Sequence, residues 1–600
     1  MTSKKTRLNL IYGLYELDGH SNQVYLETAW IPPESISVSQ PKNLLVPPIS
    51  KKELLATSMK LESNLLSELT PILNSFHNVG LTERSWKIII GHWLRAYSRI
   101  ITKHGMLIEK AINDSEVEIS EVILRDLRST LDPPHDTQSA LHEFEQWDFV
   151  ERVCAVIYGE LRGSHTIFEE STQNAKVKNT KASKSDYKPS LFEKAISKSE
   201  YLFYKYSEYF LKDENALIVT SYLPFKEELL LNLKLRQWPM FRILSLDIET
   251  DQIVYKIESR REIFKFRETD SLELTVARSL LCETFPISFL EGFKNVSSLI
   301  QDSNLPKSPK FIFTSNSFMT NEVFKQYTAV QVNQGVKYFV GQHGNNYGTL
   351  NDSNPTVEEE TSTRFLSWGW ESEKATPAFL IKNPSPRTRK SSIELTKLLL
   401  VIGTKSPMYS LHDAQLELEH NLSHQANFIA SLNPEIQEFL TIRLHPYSLQ
   451  SGEKTLLQNH IPLRKEQINS GNTSIKPLVK SSRVTVHAYD STGILETLAA
   501  NVPTLAFWSH EFSEKTEESQ PFYNLLTEIG ILHKSGESAA KLVNEIWHDV
   551  DSWWLSEKVQ SARSEFCYKY ARQSSHPISF LLKVFNQEPN AKLVVNSRHD

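Results

Sequence analysis

Apolar residues return along this chain in two rhythms. From residue 51 onward Leu54, Leu55, Met59, Leu61, Leu65, Leu66 and Leu69 recur at helical spacing, and residues 86–101 (WKIIIGHWLRAYSRII) make a second, strongly apolar helical run. Gly91 inside that run weakens a helix by roughly 1 kcal/mol relative to alanine. It therefore predicts close packing against a neighbour, and the aromatics around it read as core. Later the rhythm shortens. Residues 216–222, 311–314, 335–343, 397–404 and 439–444 are short apolar runs that give way to small or polar residues. Such runs predict strands buried on both faces, the habit of parallel sheets. Helical patterning returns at 410–432 and, rich in aromatics, at 551–584. The expected class is α/β.

The clearest unit is residues 484–508 (VTVHAYDSTGILETLAANVPTLAFW). An apolar strand breaks at Asp490-Ser491-Thr492-Gly493, a short amphipathic helix follows from about Ile494 to Ala500, Asn501 ends it, and a second strand runs over 504–508. In open parallel sheets, ligands sit outside the carboxyl ends of the strands. A polar, glycine-ended loop that opens a helix offers free backbone N–H groups and partial positive charge, which suits a phosphate. The strand at 439–444 ends in Arg443 and His445, two apart and so on one face, before Pro446. Gly403 and Thr404 end the strand at 397–404. Together these ends outline an anion site.

Charge and length narrow the picture. Six hundred residues exceed one core, so at least two domains are expected. The proline-containing stretch 371–390 marks the boundary, giving a first unit over 1–385 with helical insertions and a second unit over 386–600. Residues 1–50 predict a strand or two and an extended connector, and 171–189 a flexible surface loop. A net charge of −6 argues against a nucleic-acid partner. No apolar run approaches the roughly 20 residues needed to cross a bilayer, and residues 1–10 lack a signal-peptide core. The expectation is a cytoplasmic protein, at most resting on the inner membrane face. Cys154, Cys282 and Cys567 have no metal or redox spacing, and His420 and His424 come without HExxH, so neither metal nor cofactor is expected. GxxxxGK[ST], GxSxG and GxGxxG are absent.

One turn stands out in the first half: Gly341-Gln342-His343-Gly344-Asn345-Asn346-Tyr347-Gly348. Glycines let backbone approach a ligand, and His343 is placed to act as a base or to bind phosphate. Gln342, Gly344, Asn345 and Tyr347 crowd the same turn as further candidates. The acidic run Glu358-Glu359-Glu360 reads as a solvated surface. In the second half His445, Ser491, Thr492 and Gly493 are phosphate-binding candidates, with Glu496 for ribose hydroxyls. Asp490 is a candidate base or orienter of a histidine, and Arg443 a cation to offset developing charge.

The spacing Glu496 to Pro503 resembles the donor-site helix of GT-B glycosyltransferases, in which two Rossmann-like domains face a cleft. His445-Pro446 and Ser491-Thr492 resemble the His-Pro and Ser-Ser/Thr motifs of bacterial sialyl- and Kdo-transferases, where both hold CMP. More broadly, Trp86-Lys-Ile-Ile-Ile-Gly-His-Trp-Leu94, Ser221-Tyr-Leu-Pro224, Gly341-Gln-His-Gly344, Trp368-Gly-Trp370, Ser491-Thr-Gly493 and Trp553-Trp554 resemble the transferases of bacterial surface-carbohydrate and O-antigen clusters. Asn345 departs from that pattern, standing where another glycine is expected. The resemblance implies a metal-independent glycosyltransferase. It further implies a nucleotide-activated, CMP-linked donor such as Kdo or another nonulosonate, bound by His445, Pro446, Ser491, Thr492, Gly493, Glu496, Gly403 and Thr404, and a glycan, lipid-linked glycan or glycoprotein acceptor met on the 1–385 side by Gln342, Gly344, Asn345 and Tyr347. Its rivals are a sugar-nucleotide 2-epimerase on the same fold and a non-catalytic partner in a glycan-assembly complex, working through aromatic surfaces such as Trp553-Trp554.

Overall fold

A computed structural model of the chain describes residues 6–10, 23–25, 49–113, 119–125, 130–161, 166–170, 212–238, 253–269, 271–353, 355–381, 395–403, 414–445, 464–471 and 474–587. The loop expected at 171–189 and the candidates Thr404 and Pro446 lie outside them.

Among the described residues three parallel sheets carry the fold. The one nearest the C-terminus has six strands in the spatial order Ile468–Asn469, Leu440–Arg443, Lys397–Val401, Ser482–His487, Thr504–Phe507, Leu532–His533. Numbered along the chain this is 3-2-1-4-5-6, the order of a doubly wound nucleotide-binding sheet. Its direction of growth reverses between Lys397–Val401 and Ser482–His487, which pair in parallel from Leu398–Val484 to Val401–His487. The strands Lys397–Val401, Leu440–Arg443, Ser482–His487 and Thr504–Phe507 are short and largely buried because helices pack on the sheet; among those helices are Ala414–Ser431 and Gly536–Ile546, which pack on each other.

The second sheet has five strands in simple order: Leu217–Val219, Phe311–Thr314, Lys337–Gly341, Arg364–Ser367, Ala375–Pro377. Its last strand falls inside the proline-containing stretch expected to be a boundary, so the first unit extends through at least Ile381. At the far end of the 386–600 unit one helix crosses to the first. The helix Pro577–Asn586 leaves the six-stranded sheet and packs on the five-stranded one, where Phe585 stacks on Phe311 with ring centroids 4.4 Å apart. The apolar face of that helix (Ile578, Leu581, Val584, Phe585) has the right spacing to cover a sheet, but nothing in it says which. The third sheet joins Gln23–Tyr25, Thr6–Asn9, Ile119–Arg125 and Thr166–Glu170, which the sequence pattern anticipated only in its first two strands.

Two long helices, Lys51–His77 and Glu83–Asn113, buttress the five-stranded unit. Leu54, Leu61, Leu65, Leu69 and Leu73 form the buried stripe of the first. Asn78 ends it in the left-handed conformation (φ 56°). Trp86, Trp93 and Tyr97 of the second are fully buried, so its aromatics are core. A Cβ on Gly91 would stand 2.8 Å from Val357 Cγ1, and Val357 opens the short helix Val357–Thr361. That close approach is the packing the glycine predicted. The acidic run on this helix is not a solvated surface: Glu358 and Glu359 are buried, and Glu359 closes a capping box with Thr356.

The carboxyl ends of the two central strands, Lys337–Gly341 and Ser482–His487, point at each other, and the loops beyond them touch. Two parallel α/β units meeting end to end are the GT-B-like plan.

Candidate active site

On the six-stranded side the site is built around the switch point. Strand Lys397–Val401 runs into Gly403, where a Cβ would stand 2.9 Å from Tyr489 Cζ. Glycine is what lets Tyr489, from the loop after Ser482–His487, lie across the end of that strand. Next to it Arg443 is buried, donating from Nη2 to the Gly471 carbonyl at 2.6 Å and from Nη1 to Asn469. Burial lowers its pKa, and Tyr489 opposes that shift. His445 is half-buried; its backbone N–H donates to the Ile402 carbonyl at 3.1 Å. Burial, and then the Arg443 charge, hold its imidazole below the ordinary histidine value. Arg443, His445, Gly403 and Tyr489 thus share one crevice mouth, with a fixed cation beside a neutral imidazole.

The helix Thr492–Ala499 begins at that mouth. Ser491 holds the N-cap position but makes no capping bond. Its hydroxyl lies 3.3 Å from His487 Nδ1 instead. His487 is fully buried, and burial pushes its pKa down to about 3, so it is a neutral prop beneath the loop. A Cβ on Gly493 would press to 2.7 Å from His487 Cε1, which explains glycine there. Glu496 sits one turn along the helix, half-buried. Asn501 ends the segment with φ 54°, as expected, and accepts from Trp554 Nε1 at 2.9 Å. Trp554 is fully buried and Trp553 half-buried, so the pair is not the exposed aromatic surface imagined for a non-catalytic partner.

Opposite stands the glycine turn. Gln342 is buried and spent: its amide donates to the Gly344 carbonyl (2.9 Å) and its oxygen accepts from Trp368 N (2.8 Å) and Trp370 Nε1 (2.9 Å). It brackets the turn to the Trp368-Gly-Trp370 segment and does not face the cleft as an acceptor contact. Gly348 has φ 67°, and a Cβ on it would lie 2.4 Å from the Trp370 ring. The left-handed residue next to the departing Asn345 is Asn346, at φ 77°. Asn345 itself spans the cleft floor: its backbone N–H donates to Thr492 Oγ1 at 3.0 Å and its side chain to Asp490 Oδ1 at 2.7 Å. Gly344 stands beside Thr492, 3.5 Å from its hydroxyl to an added Cβ.

Asp490 therefore orients an asparagine and not a histidine. Its other oxygen pairs with Lys515 and accepts from Ser513 at 3.3 Å, with side-chain exposures of 3% for Asp490 and 5% for Lys515. That buried pairing is the reason it is no longer a candidate base. Neither Lys515 nor Tyr489 was singled out from the sequence. Lys515 sits in a charged run, SEKTEES, that has every mark of a solvated loop, and its partner is 25 positions away.

His343 lies past the end of Lys337–Gly341, its ring edge-on to Tyr222 (6.2 Å between centroids) and 5.7 Å from Phe318. Its Nδ1 is 3.1 Å from the Tyr347 hydroxyl. That hydroxyl donates to Glu358, whose other oxygen is 3.2 Å from His92 Nε2. The structure thus brings Asn345, Thr492, Ser491 and Asp490 to one seam, with His343 two residues before Asn345 on the same turn, and gathers Arg443, His445 and Gly403 at the ends of neighbouring strands of the six-stranded sheet.

Among the described residues no helix is long and apolar enough to cross a membrane, and no group of three or more His, Cys, Asp and Glu is set to hold a metal. No curated protein matches the sequence. Among solved structures, the Staphylococcus aureus MnaA–UDP complex is similar at 12% identity and a TM-score of 0.34, covering 62% of this chain and 95% of that one. Anabaena HepE with UDP and glucose matches at 10% identity and a TM-score of 0.32, covering 62% and 100%. Acinetobacter baumannii MurG matches at 8% and 0.27, covering 62% and 99%. The fold assignment rests on the strand orders and the facing strand ends given above. Residues 35–585, nearly the whole chain, match the LIC12162 family of transferases, and the protein belongs to that family.

Proposed function

We propose that this transferase moves a sugar from a nucleotide-activated, CMP-linked donor (Kdo or another nonulosonate) to a surface-polysaccharide or glycoprotein acceptor at the cytoplasmic side of the membrane. The observation that carries it is the switch point of the six-stranded sheet, opening with Gly403, Arg443 and His445 at its mouth and closed from the far side by the His343 turn. A crevice at this place in a doubly wound sheet is where a nucleotide binds.

In this reading His445 and the backbone N–H groups at Ser491, Thr492 and Gly493 hold the donor phosphate, and Glu496 takes the ribose hydroxyls. Pro446 and Thr404 join the donor-binding set on the resemblance alone. Arg443 supplies fixed positive charge to the departing nucleotide. Its hydrogen bonds to Asn469 and Gly471 keep the guanidinium in place, so no reorganisation is needed as charge builds. His343 faces the acceptor, with Gly344 and Asn345 shaping the floor. The acceptor hydroxyl oxygen bonds to the anomeric carbon and its proton passes to His343. The bond from that carbon to the phosphate oxygen breaks, and the electron pair leaves with CMP. The CMP identity is supported by the resemblance of His445-Pro446 and Ser491-Thr492 alone. No metal is assigned, because a cation, an imidazole and a helix start already face the anion.

The test is binding of CMP, CDP, UDP and GDP, read by thermal shift, for wild type and His445→Ala. Ligand at about 100 times its dissociation constant stabilises by roughly 2.7 kcal/mol. A CMP-selective shift lost in the variant is expected. A UDP-selective shift would replace the donor, and no shift with any nucleotide would overturn the reading. Donor converted without acceptor would point to an epimerase.

A further inference from the structure

Two of the segments that carry the family resemblance, the one around His92 and the one around His343, are far apart in sequence yet end on the same carboxylate. His92 belongs to the helix Glu83–Asn113, and its Nε2 is 3.2 Å from Glu358 Oε2. Glu358 Oε1 accepts from the Tyr347 hydroxyl, and that hydroxyl lies 3.1 Å from His343 Nδ1. The carboxylate and the phenol are buried, at 5% and 8% exposure. Phe318 fills the space between the two imidazoles, stacked on His92 at 5.4 Å and 5.7 Å from His343.

Hydrogen counting fixes the direction of this chain. Burial alone would raise the pKa of Glu358, but the hydrogen bond and charge of His92, together with the Tyr347 hydroxyl, outweigh it and hold the group down at about 2. An ionised carboxylate only accepts. Tyr347 has one proton and spends it on Glu358, so toward His343 its oxygen is an acceptor. His343 Nδ1 must then carry a proton, which places the lone pair of the neutral ring on Nε2.

We infer that Tyr347 and Glu358, anchored by His92, are positioning residues that fix His343 in the Nδ1–H tautomer and deliver a buried negative charge to its imidazolium through the Tyr347 phenol. The inference rests on the reading of His343 as the acceptor-side base and deepens it. When Nε2 takes the acceptor proton, the new positive charge is two hydrogen bonds from a carboxylate shielded from water. A carboxylate that orients a catalytic histidine works in the same way, here with a phenol interposed. The titratable groups packed around this chain are Tyr222 against His343, and Tyr338 and Glu359 against Glu358, whose charge raises both of their pKa values after burial has done so. None of them supplies a second anion to the His343 ring. The arrangement also accounts for a buried acidic run on a five-residue helix: Glu359 caps the helix, Glu360 pairs with Lys87 and Arg95, and Glu358 is left for the histidines.

The test needs no substrate. Long-range proton–nitrogen NMR on 15N-histidine-labelled full-length protein, with His343→Gln assigning the signal, reads tautomer and titration midpoint directly. Wild type should show the Nδ1–H form. Tyr347→Phe, which keeps the ring stacked on Phe365, should revert to Nε2–H. Glu358→Gln should lower the His343 midpoint by about one pH unit. An Nε2–H wild type, or a tautomer and midpoint unchanged in both variants, would overturn the inference. If the tautomer behaves as stated while no nucleotide binds, the relay stands and the donor reading fails.

Discussion

The side-chain amide of Asn345, beyond the end of a strand in one sheet, donates to the carboxylate of Asp490, beyond the end of a strand in the other, at 2.7 Å. This contact and its neighbour, Asn345 N–H to Thr492 Oγ1 at 3.0 Å, set the distance between the two halves of the candidate site. Behind it, Leu350 pairs with Lys515 across an isolated antiparallel bridge, and Thr516 N–H donates to the Thr349 carbonyl at 3.0 Å.

The ion pair that holds Asp490 makes the first prediction. Lys515 is buried with its ammonium on Asp490 and over the Tyr523 ring. Removing one partner leaves the other charge uncompensated, so Lys515→Met should cost about 3–5 kcal/mol of stability. Asp490→Asn combined with Lys515→Met should cost less than Lys515→Met alone. Urea unfolding of the two variants checks this, and a harmless Lys515→Met would show the pair to be dispensable.

Two glycines with positive φ separate strain from overlap. At Gly335 (φ 93°) an added Cβ meets nothing within 4 Å. Gly335→Ala should therefore cost only the backbone penalty, about 1–2 kcal/mol. At Gly348 the same Cβ would also come within 2.4 Å of the Trp370 ring, which Gln342 holds in place. Gly348→Ala should exceed Gly335→Ala by about 1–3 kcal/mol. Equal losses in thermal unfolding would mean that the tryptophan moves aside.

Gly403→Ala should separate binding from folding. The intruding contact is the far end of the Tyr489 ring at 2.9 Å, and a side chain on a surface loop can swing away. Stability should change little, whereas affinity for the donor nucleotide should fall by about tenfold, roughly 1.4 kcal/mol. Calorimetric titration alongside thermal unfolding reads both; unchanged affinity would place the nucleotide elsewhere.

Acid should unfold the protein through buried neutral histidines. Burial lowers His77 to about 4 and His487 to about 3. In the unfolded chain each titrates near 6.5. Below that pH the unfolded state binds protons that the folded state refuses, so stability is full above 6.5 and declines as pH falls toward 4 and then 3. For His77 the gap amounts to on the order of 3 kcal/mol. His77→Gln should flatten the slope of unfolding free energy between pH 6.5 and 4, and an unaltered slope would count against it.

Apolar rhythm alone was enough for the central strands of the five- and six-stranded sheets, but not for the short strands Arg364–Ser367, Ala375–Pro377, Ile468–Asn469 and Leu532–His533. Leu398–Val401 and Val484–Val486 are apolar at every position or nearly so, and residues buried on both faces leave no other pattern. Asn501 marked its helix end, and Gly91 its close neighbour, because each answers to geometry within a few residues. The switch point followed only once the strand order was known. Sequence fixes which segments are strands, whereas their lateral order depends on how helices cover them.

What the sequence misjudged shares one cause. Glu358 and Glu359 read as a solvated surface because charge in a string of residues reads as exposure, Lys515 drew no notice in its charged run, and Asp490 read as free to act as a base or to orient a histidine. Whether a charge is buried depends on a partner, and the partners are far away: His92 lies 266 positions from Glu358 and Lys515 lies 25 from Asp490. The destination of the helix Pro577–Asn586 was hidden likewise, since an apolar stripe states that it must be covered but not by what. Local patterns therefore determined the elements and the candidate loops. Only the tertiary structure decided which side chains are free to meet a substrate and which are spent on one another, because pairing energy depends on distances in space that sequence separation does not encode.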